Sequence, residues 1–283
     1  MSHGITGIDH LVIAVEDLEG ARETWGRLGF TLTPRGRHRD MATGNYCIMF
    51  PSDYVELMGI IDPDLPDRGL RERMARNGEG LDRVAFAVRD ADETAAALKA
   101  SGYDIRGPVD LRRPLELPEG EVEPRFRLIL LPDGAAPVIN GFICHHDTPE
   151  IVRTPEWLDH PNGVLSIASL VAVAENPASL AEAWQKLLGP GCTVLTDDTL
   201  TVHTGDTAII FVTPDHLSLM YPAVADDEFP PPPYMAAATF RVADTAATAK
   251  VLDDRGMPYR LDPDGSIQTA PADTNGLLVG FES

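Results

Sequence analysis

The sequence predicts an α+β protein built from four βαβββ modules that pair into two domains. Three observations carry that expectation. A strand-then-helix pattern occurs four times along the 283 residues, at intervals of roughly seventy to ninety residues, and such repetition takes precedence over any single element. Each copy opens on an apolar run with β-branched residues, the mark of a buried strand. Each run is followed by a capping residue, apolar residues at helical spacing and a closing glycine.

The first copy opens at residues 8–15. Asp17 stands at the N-cap, Leu18, Ala21, Trp25 and Leu28 follow at helical spacing, and Gly29 closes the helix. The second opens at 81–88, with Asp90 or Asp92 as cap, Ala95, Leu98 and Ala100 in support and Gly102 at the end. In the third, 167–173 leads to Asn176 and to Pro177, a favoured residue just inside a helix start. Its helix runs through Leu180, Trp184 and Leu187 to Gly189. The fourth runs from 238–242 through Asp244, Ala247, Val251 and Leu252 to Gly256. His10, Arg83, Ser169 and Thr239 take equivalent places on the four opening strands. Shorter apolar runs between turn-forming residues then supply about three more strands per copy. Examples are 46–50 with 54–58, 125–131 with 138–144, and 208–213 with 217–221.

Residues 1–150 are expected to form the first domain, 151–163 a bridge anchored by Trp157, and 164–283 the second domain. Between the third and fourth copies, acidic residues at 226–228 precede prolines at 230–233, which read as a stiff extended connector.

Hydrophobic residues make up 43% and charged residues 24% of the chain, enough to build a real core. Lys and Arg number 23 against 44 Asp and Glu, a net charge of −21. That balance argues against nucleic acid or an anionic membrane as partner. It leaves room for an anionic small molecule, because a few local arginines reverse the field inside a pocket. Cys47, Cys144 and Cys192 are too few and too scattered for a disulfide framework or a four-cysteine zinc site. The N-terminus lacks a signal-peptide pattern, and no apolar run approaches the roughly 20 residues of a membrane helix. A cytoplasmic location is the simplest expectation.

Two polar residues stand out inside apolar strands: His10 in the first and Glu56 in the strand around 54–58. A buried polar group left unpaired costs a few kcal/mol. A divalent cation would satisfy both, and so would hydrogen bonds to neighbours. Arg83 on its strand either grips a carboxylate or phosphate by two hydrogen bonds or sits in an internal ion pair. Arg125 and Arg127 read as structural, Cys144 as a small buried residue, and His160, His203 and His216 as surface histidines.

The stretches IDHLVIAV, DYVELMGI, GEGLDRVAFAV and FICHHDTPEIVRTPEWLDHPNG resemble the glyoxalase-like proteins of the vicinal oxygen chelate superfamily. The resemblance implies that the modules pair into two glyoxalase/dioxygenase-like domains, with metal ligands drawn from the first and fourth strands of each module. On that basis His10, Glu56 and His145 are the expected ligands of one divalent metal ion, whether Fe, Mn, Ni or Zn. Glu56 is also the expected catalytic carboxylate, and Arg83 and His146 the expected substrate contacts. A one-residue slip would bring His146 into the cleft in place of His145. Ser169, Thr239 and Gly280 at the equivalent places leave the second pair without a metal. The function implied is a metal-dependent lyase, isomerase or dioxygenase acting on a small oxygenated metabolite. The alternative is a non-catalytic protein that sequesters a small molecule, as resistance proteins of that superfamily do. The partners implied are a small-molecule substrate or ligand and, in addition, a second copy in a homodimer.

Overall fold

Caps and closing glycines set the frame of each module. The computed structural model describes residues 3–117, 120–224 and 229–283; the acidic residues at 226–228 lie outside them. Strand β1 (Ile5–Ala14) leads to helix α1 (Leu18–Arg27), where the Asp17 carboxylate accepts from the Glu19 and Gly20 amides at 3.2 and 3.0 Å. Gly29 then turns the chain at φ +92°, a conformation that costs glycine little. Strands β2 (Gly36–Arg37), β3 (Thr43–Met49) and β4 (Tyr54–Ile60) complete the first module.

Helix α2 (Leu70–Asn77) follows and has no counterpart in the expected pattern. The second module comprises β5 (Gly80–Val88), α3 (Ala91–Ala100), β6 (Arg106–Arg112), a hairpin of β7 (Leu115–Leu117) and β8 (Gly120–Val122), then β9 (Arg125–Leu130) and β10 (Gly141–His146). Asp90 is its cap, accepting from the Glu93 amide at 2.8 Å. Asp92 instead holds Arg127 through two bonds of 2.8 and 2.7 Å.

Helix α4 (Pro155–Leu158) lies in the bridge, and Trp157 packs beside Cys47, Met49 and Tyr54. The third module is β11 (Val164–Val173), α5 (Ala181–Leu188), β12 (Thr193–Thr196), β13 (Thr199–Thr204) and β14 (Thr207–Val212). Helix α6 (Pro214–Met220) leads to the fourth: β15 (Tyr234–Val242), α7 (Thr245–Asp254), β16 (Arg260–Leu261), β17 (Ile267–Thr269) and β18 (Leu278–Glu282). Residues 217–221, expected as a strand, are therefore largely helical. Thr213 caps that helix on the His216 amide and Pro214 opens it. Leu217 and Tyr221, four apart, then share one buried face.

Two curled sheets result. The first has ten strands in the order β6-β9-β10-β5-β1-β4-β3-β2-β7-β8, and the second has eight, β12-β13-β14-β11-β15-β18-β17-β16. In each, the opening strands of two modules pair antiparallel at the centre, and each opening strand pairs parallel with the last strand of its own module.

Strand alternation separates two faces. Leu11 and Ile13 of β1 enter a core shared by both sheets, whereas Val12 joins Ala85, Phe126, Phe142 and Cys144 on the other face. Aromatic rings lock the two halves: Phe30 meets Phe240 and Phe281 at centroid distances of 5.3 and 5.9 Å, and Trp25 meets Phe240 at 6.4 Å. Polar ties join them too, since Asp53 accepts from the Ile167 amide at 3.2 Å. His160, expected at the surface, is buried in this region. Its Nδ1 accepts from the Thr31 amide at 3.0 Å and its Nε2 donates to the Met49 carbonyl at 2.8 Å. Among the described residues no helix is long and apolar enough to cross a membrane.

Candidate metal and substrate cleft

The open face of the first sheet encloses a cavity of about 90 Å³. His10 on β1, Glu56 on β4 and Arg83 on β5 line it, together with His38, which lies between β2 and β3. Phe126, Leu128 and Phe142 supply an apolar wall, and Arg68 and Arg73, before and within α2, also border it. A larger cavity, about 700 Å³, runs along the prolines at 230–233. It holds no histidine, and its Arg73 and Asp82 side chains already pair with each other at 2.7 Å.

His10 is held on both sides. Its Nδ1 meets Asp9 Oδ2 at 2.6 Å, and its ring stacks on Tyr54 at 4.3 Å between centroids. An imidazole that donates its Nδ1–H to a carboxylate carries a bare lone pair on Nε2. That Nε2 lies 3.6 Å from Glu56 Oε2. Glu56 is buried, its Oε1 accepts from the Asn45 side-chain Nδ2, and the same oxygen lies 3.7 Å from His38 Nε2. Burial opposes the charge on Glu56, but His38, His10, Arg113 and the Asn45 bond outweigh it and hold the carboxyl below its ordinary value. Burial pushes His38 in the opposite sense, toward the neutral ring.

Asp9 accepts from a second imidazole as well, His146 Nε2 at 3.1 Å. Burial alone would raise the Asp9 pKa, yet the two histidines drive it far down, so this carboxylate stays ionised. Asp9, Cys144 and His146 place one metal-ligating atom each within 4.8 Å of one another, the cluster of that kind found among the described residues. Burial pushes the Cys144 thiol well above its usual value, so without a bound metal it stays protonated.

The register decides the remaining expectations. Val12 pairs with Glu56 and with Arg83, while His10 pairs with Ala85. This symmetric arrangement makes Arg83 the counterpart of His10. In the second module Ala85 pairs with Phe142, which makes Phe142 the counterpart of Glu56. His145 therefore does not occupy the place assigned to it. It lies on the opposite face of β10, with Nδ1 3.2 Å from the Val88 carbonyl and Nε2 3.7 Å from Asp147. His146 turns to the His10 side, but to Asp9 rather than into the cavity.

The second module thus presents Arg83 and Phe142 where the first presents His10 and Glu56, and the guanidinium lies over the Phe142 ring at 4.3 Å. Arg83 Nε has no hydrogen-bond partner among the described residues. In the second sheet the matching places fall to Ser169, Ile210, Ala237 and Gly280. Thr239 faces Ser169 across the ladder and is two residues from the place assigned to it. None of these four side chains supplies an imidazole or a carboxylate.

The sequence profile of the glyoxalase-like domain matches residues 8–188. The chain belongs to that family. Solved structures extend the likeness over the whole fold. A hypothetical protein from Staphylococcus aureus superposes with a TM-score of 0.67 at 12% identity, covering 97% of this chain and 98% of the other. A triple mutant of 4-hydroxymandelate synthase from Streptomyces coelicolor gives 0.62 at 12% identity, over 98% and 92% of the two chains. A xylose isomerase-like TIM barrel/4-hydroxyphenylpyruvate dioxygenase fusion protein gives 0.60 at 13% identity, over 98% of this chain and 48% of that one. These likenesses concern the two-sheet fold. No curated protein matches the sequence.

For this glyoxalase-like protein, sequence reasoning singled out His10, Glu56 and Arg83, which the fold gathers around one cavity. It missed His38, Asn45 and Asp9. Asp9 had a visible signal, a second charge inside an apolar strand. His38 had none, because a histidine between two short strands looks like any surface histidine.

Proposed function

We propose that this glyoxalase-like protein is a metal-dependent enzyme of lyase, isomerase or dioxygenase type, acting on a small oxygenated carboxylate in the first-sheet cavity. The observation that carries the reading is the convergence of His10 Nε2 and Glu56 Oε2 at 3.6 Å beside an arginine whose Nε has no partner among the described residues. At that distance the two groups are too far apart to hydrogen-bond. A divalent cation fits them better, since it takes a neutral imidazole and an ionised carboxylate as ligands. This pair lines the cavity, whereas Asp9 and His146 do not. The positions offered by the second module, Arg83 and Phe142, do not fit a metal.

The residues then divide the work. Asp9 fixes the tautomer and tilt of His10. Glu56 is ionised, and its Oε2 is available as a ligand atom or to receive a proton from substrate. Arg83 grips the carboxylate with two N–H donors. The wall of Phe126, Leu128 and Phe142 keeps the local dielectric low, which strengthens each of these contacts. A bound cation supplies Lewis acidity toward two adjacent substrate oxygens.

One observation favours binding without turnover. Half of the expected ligand positions are occupied by the Arg83–Phe142 stack. The two readings part in a single set of measurements. Protein purified without chelator should contain close to one transition-metal ion per chain, and His10→Ala or Glu56→Ala should lose it while staying folded. Folded wild-type protein that takes up no metal would defeat the metal-dependent reading. Short α-oxo and α-hydroxy carboxylates should bind, with Arg83→Met weakening them roughly 10- to 100-fold against little change for uncharged analogues. Carboxylate binding with no chemical conversion of any of them would leave the sequestering protein.

A further inference from the structure

We infer that Asp9, Cys144 and His146 form a second cation site, a thiolate-bearing one for a borderline-soft ion such as Zn(II), set beside the cavity. The inference does not draw on the His10–Glu56 pair, and the two stand or fall separately.

The sheet explains how residues so far apart in sequence meet. Strands β10, β5 and β1 lie side by side. Cys144 and His146 are two apart on β10 and so share one of its faces, the face on which Cys144 lines the cavity. Regular alternation would turn Asp9 away from His10. The ladder between β1 and β5, however, steps from Ile8–Phe86 to His10–Ala85 and leaves Asp9 as an extra residue. Such a bulge re-aims a side chain, and here Asp9 Oδ2 comes to lie 3.1 Å from His146 Nε2. The second sheet has the same irregularity between Ile167 and Ser169, but there the extra residue is Ala168.

Three donors of different kinds then face one another. One ligating atom from each lies within 4.8 Å of the other two. Donors on a tetrahedral zinc ion stand roughly 3.3 to 3.8 Å apart, so closing the set needs pairwise approaches of no more than about 1.5 Å. Asp9 and Cys144 are buried, and the His146 side chain is 8% exposed. The His146 ring packs edge-on to Phe126 and Tyr54, while its Nδ1 has no hydrogen-bond partner among the described residues. No described partner outside the cluster therefore fixes its tautomer, and its Nε2 lone pair is available to an ion.

A thiolate, an imidazole and a carboxylate suit Zn(II) or Co(II) rather than Mg(II) or Ca(II), which take oxygen donors. Loading releases the Cys144 thiol proton to solvent and leaves His146 neutral with its proton on Nδ1. Because that proton and the Asp9–His146 hydrogen bond must both yield, the site fills when metal is supplied rather than in protein as purified. The ion ties the first strand of one module to the last strand of the other across β5.

The test looks for sulfur at the metal. Chelator-stripped full-length protein is titrated with Co(II) to two equivalents per chain. A near-ultraviolet thiolate-to-cobalt charge-transfer band should appear, a signal that His10 and Glu56 cannot produce, and Zn(II) should displace it. Cys144→Ala and Cys144→Ser should abolish the band, and His146→Gln should weaken the binding it reports more than about 10-fold. Cys192→Ser and Glu56→Ala should leave it in place. A folded wild type without the band, or a band that survives in either Cys144 variant, would mean a hydrogen-bonded cluster with no ion and would overturn the inference. Co(II) uptake that shows no band and is lost in Glu56→Ala would keep the cavity pair and remove only this site.

Discussion

Asp9 shows how much of the cleft depends on one side chain. Its Oδ2 serves two imidazoles at once, at 2.6 and 3.1 Å, from a buried place on its strand. Replacing it by asparagine keeps the shape but puts an amide group where an acceptor is required. Asp9→Asn should cost about 1–3 kcal/mol at pH 7, the usual range for a buried group left unmatched, measurable by urea titration. The pH dependence has a definite sign. The folded carboxyl lies below its ordinary value of 3.8, so its contribution is fully present above that value and is lost as pH falls through the acid range below it. The variant should lose that acid limb, and an unchanged limb between pH 4 and 2 would show that Asp9 is not the group responsible.

At the level of elements, the helices were legible because their ends are written in local chemistry. Asp17, Asp90, Asn176 and Asp244 each cap the turn where they were expected. Asp17→Ala should therefore cost about 1 kcal/mol of stability, seen as a lower urea midpoint with an unchanged slope. The strands were less legible. A run such as 217–221 fits a short strand or one helical turn equally well by composition, and Thr213 with Pro214 settles it as a helix. Register is still harder to read, because it is set by partners far away in sequence. His145 and His146 differ by one position, yet one meets the Val88 carbonyl and the other meets Asp9. Only the pairing of Phe142 with Ala85 decides between them. His38 reaches Glu56 because β3 lies beside β4, and nothing local to His38 announces that contact.

Over the molecule as a whole, the second sheet supports the first from behind. One contact between the halves is a titratable one. Asp53 accepts from the Ile167 amide across the junction, and burial, only partly offset by that bond, raises its carboxyl from 3.8 to about 7. A raised carboxyl favours the protonated folded form. Its contribution is complete below pH 3.8 and disappears as pH rises through 7. Across that window the loss amounts to at most roughly 4 kcal/mol. Asp53→Asn keeps an oxygen for the Ile167 amide and cannot ionise. Its melting temperature should change little from pH 5 to 8, whereas that of the wild type should fall, as differential scanning calorimetry would record.

The rings of Trp25, Phe30, Phe240 and Phe281 belong to opposite halves of the chain but occupy a single interior. Neither half can therefore melt without stripping cover from the other. Heating should give one endotherm with matching calorimetric and van't Hoff enthalpies, and a fragment ending after the bridge would expose a greasy flank and precipitate. The second sheet, which places no imidazole or carboxylate where the first has His10 and Glu56, thus still gives cover to the interior that both share.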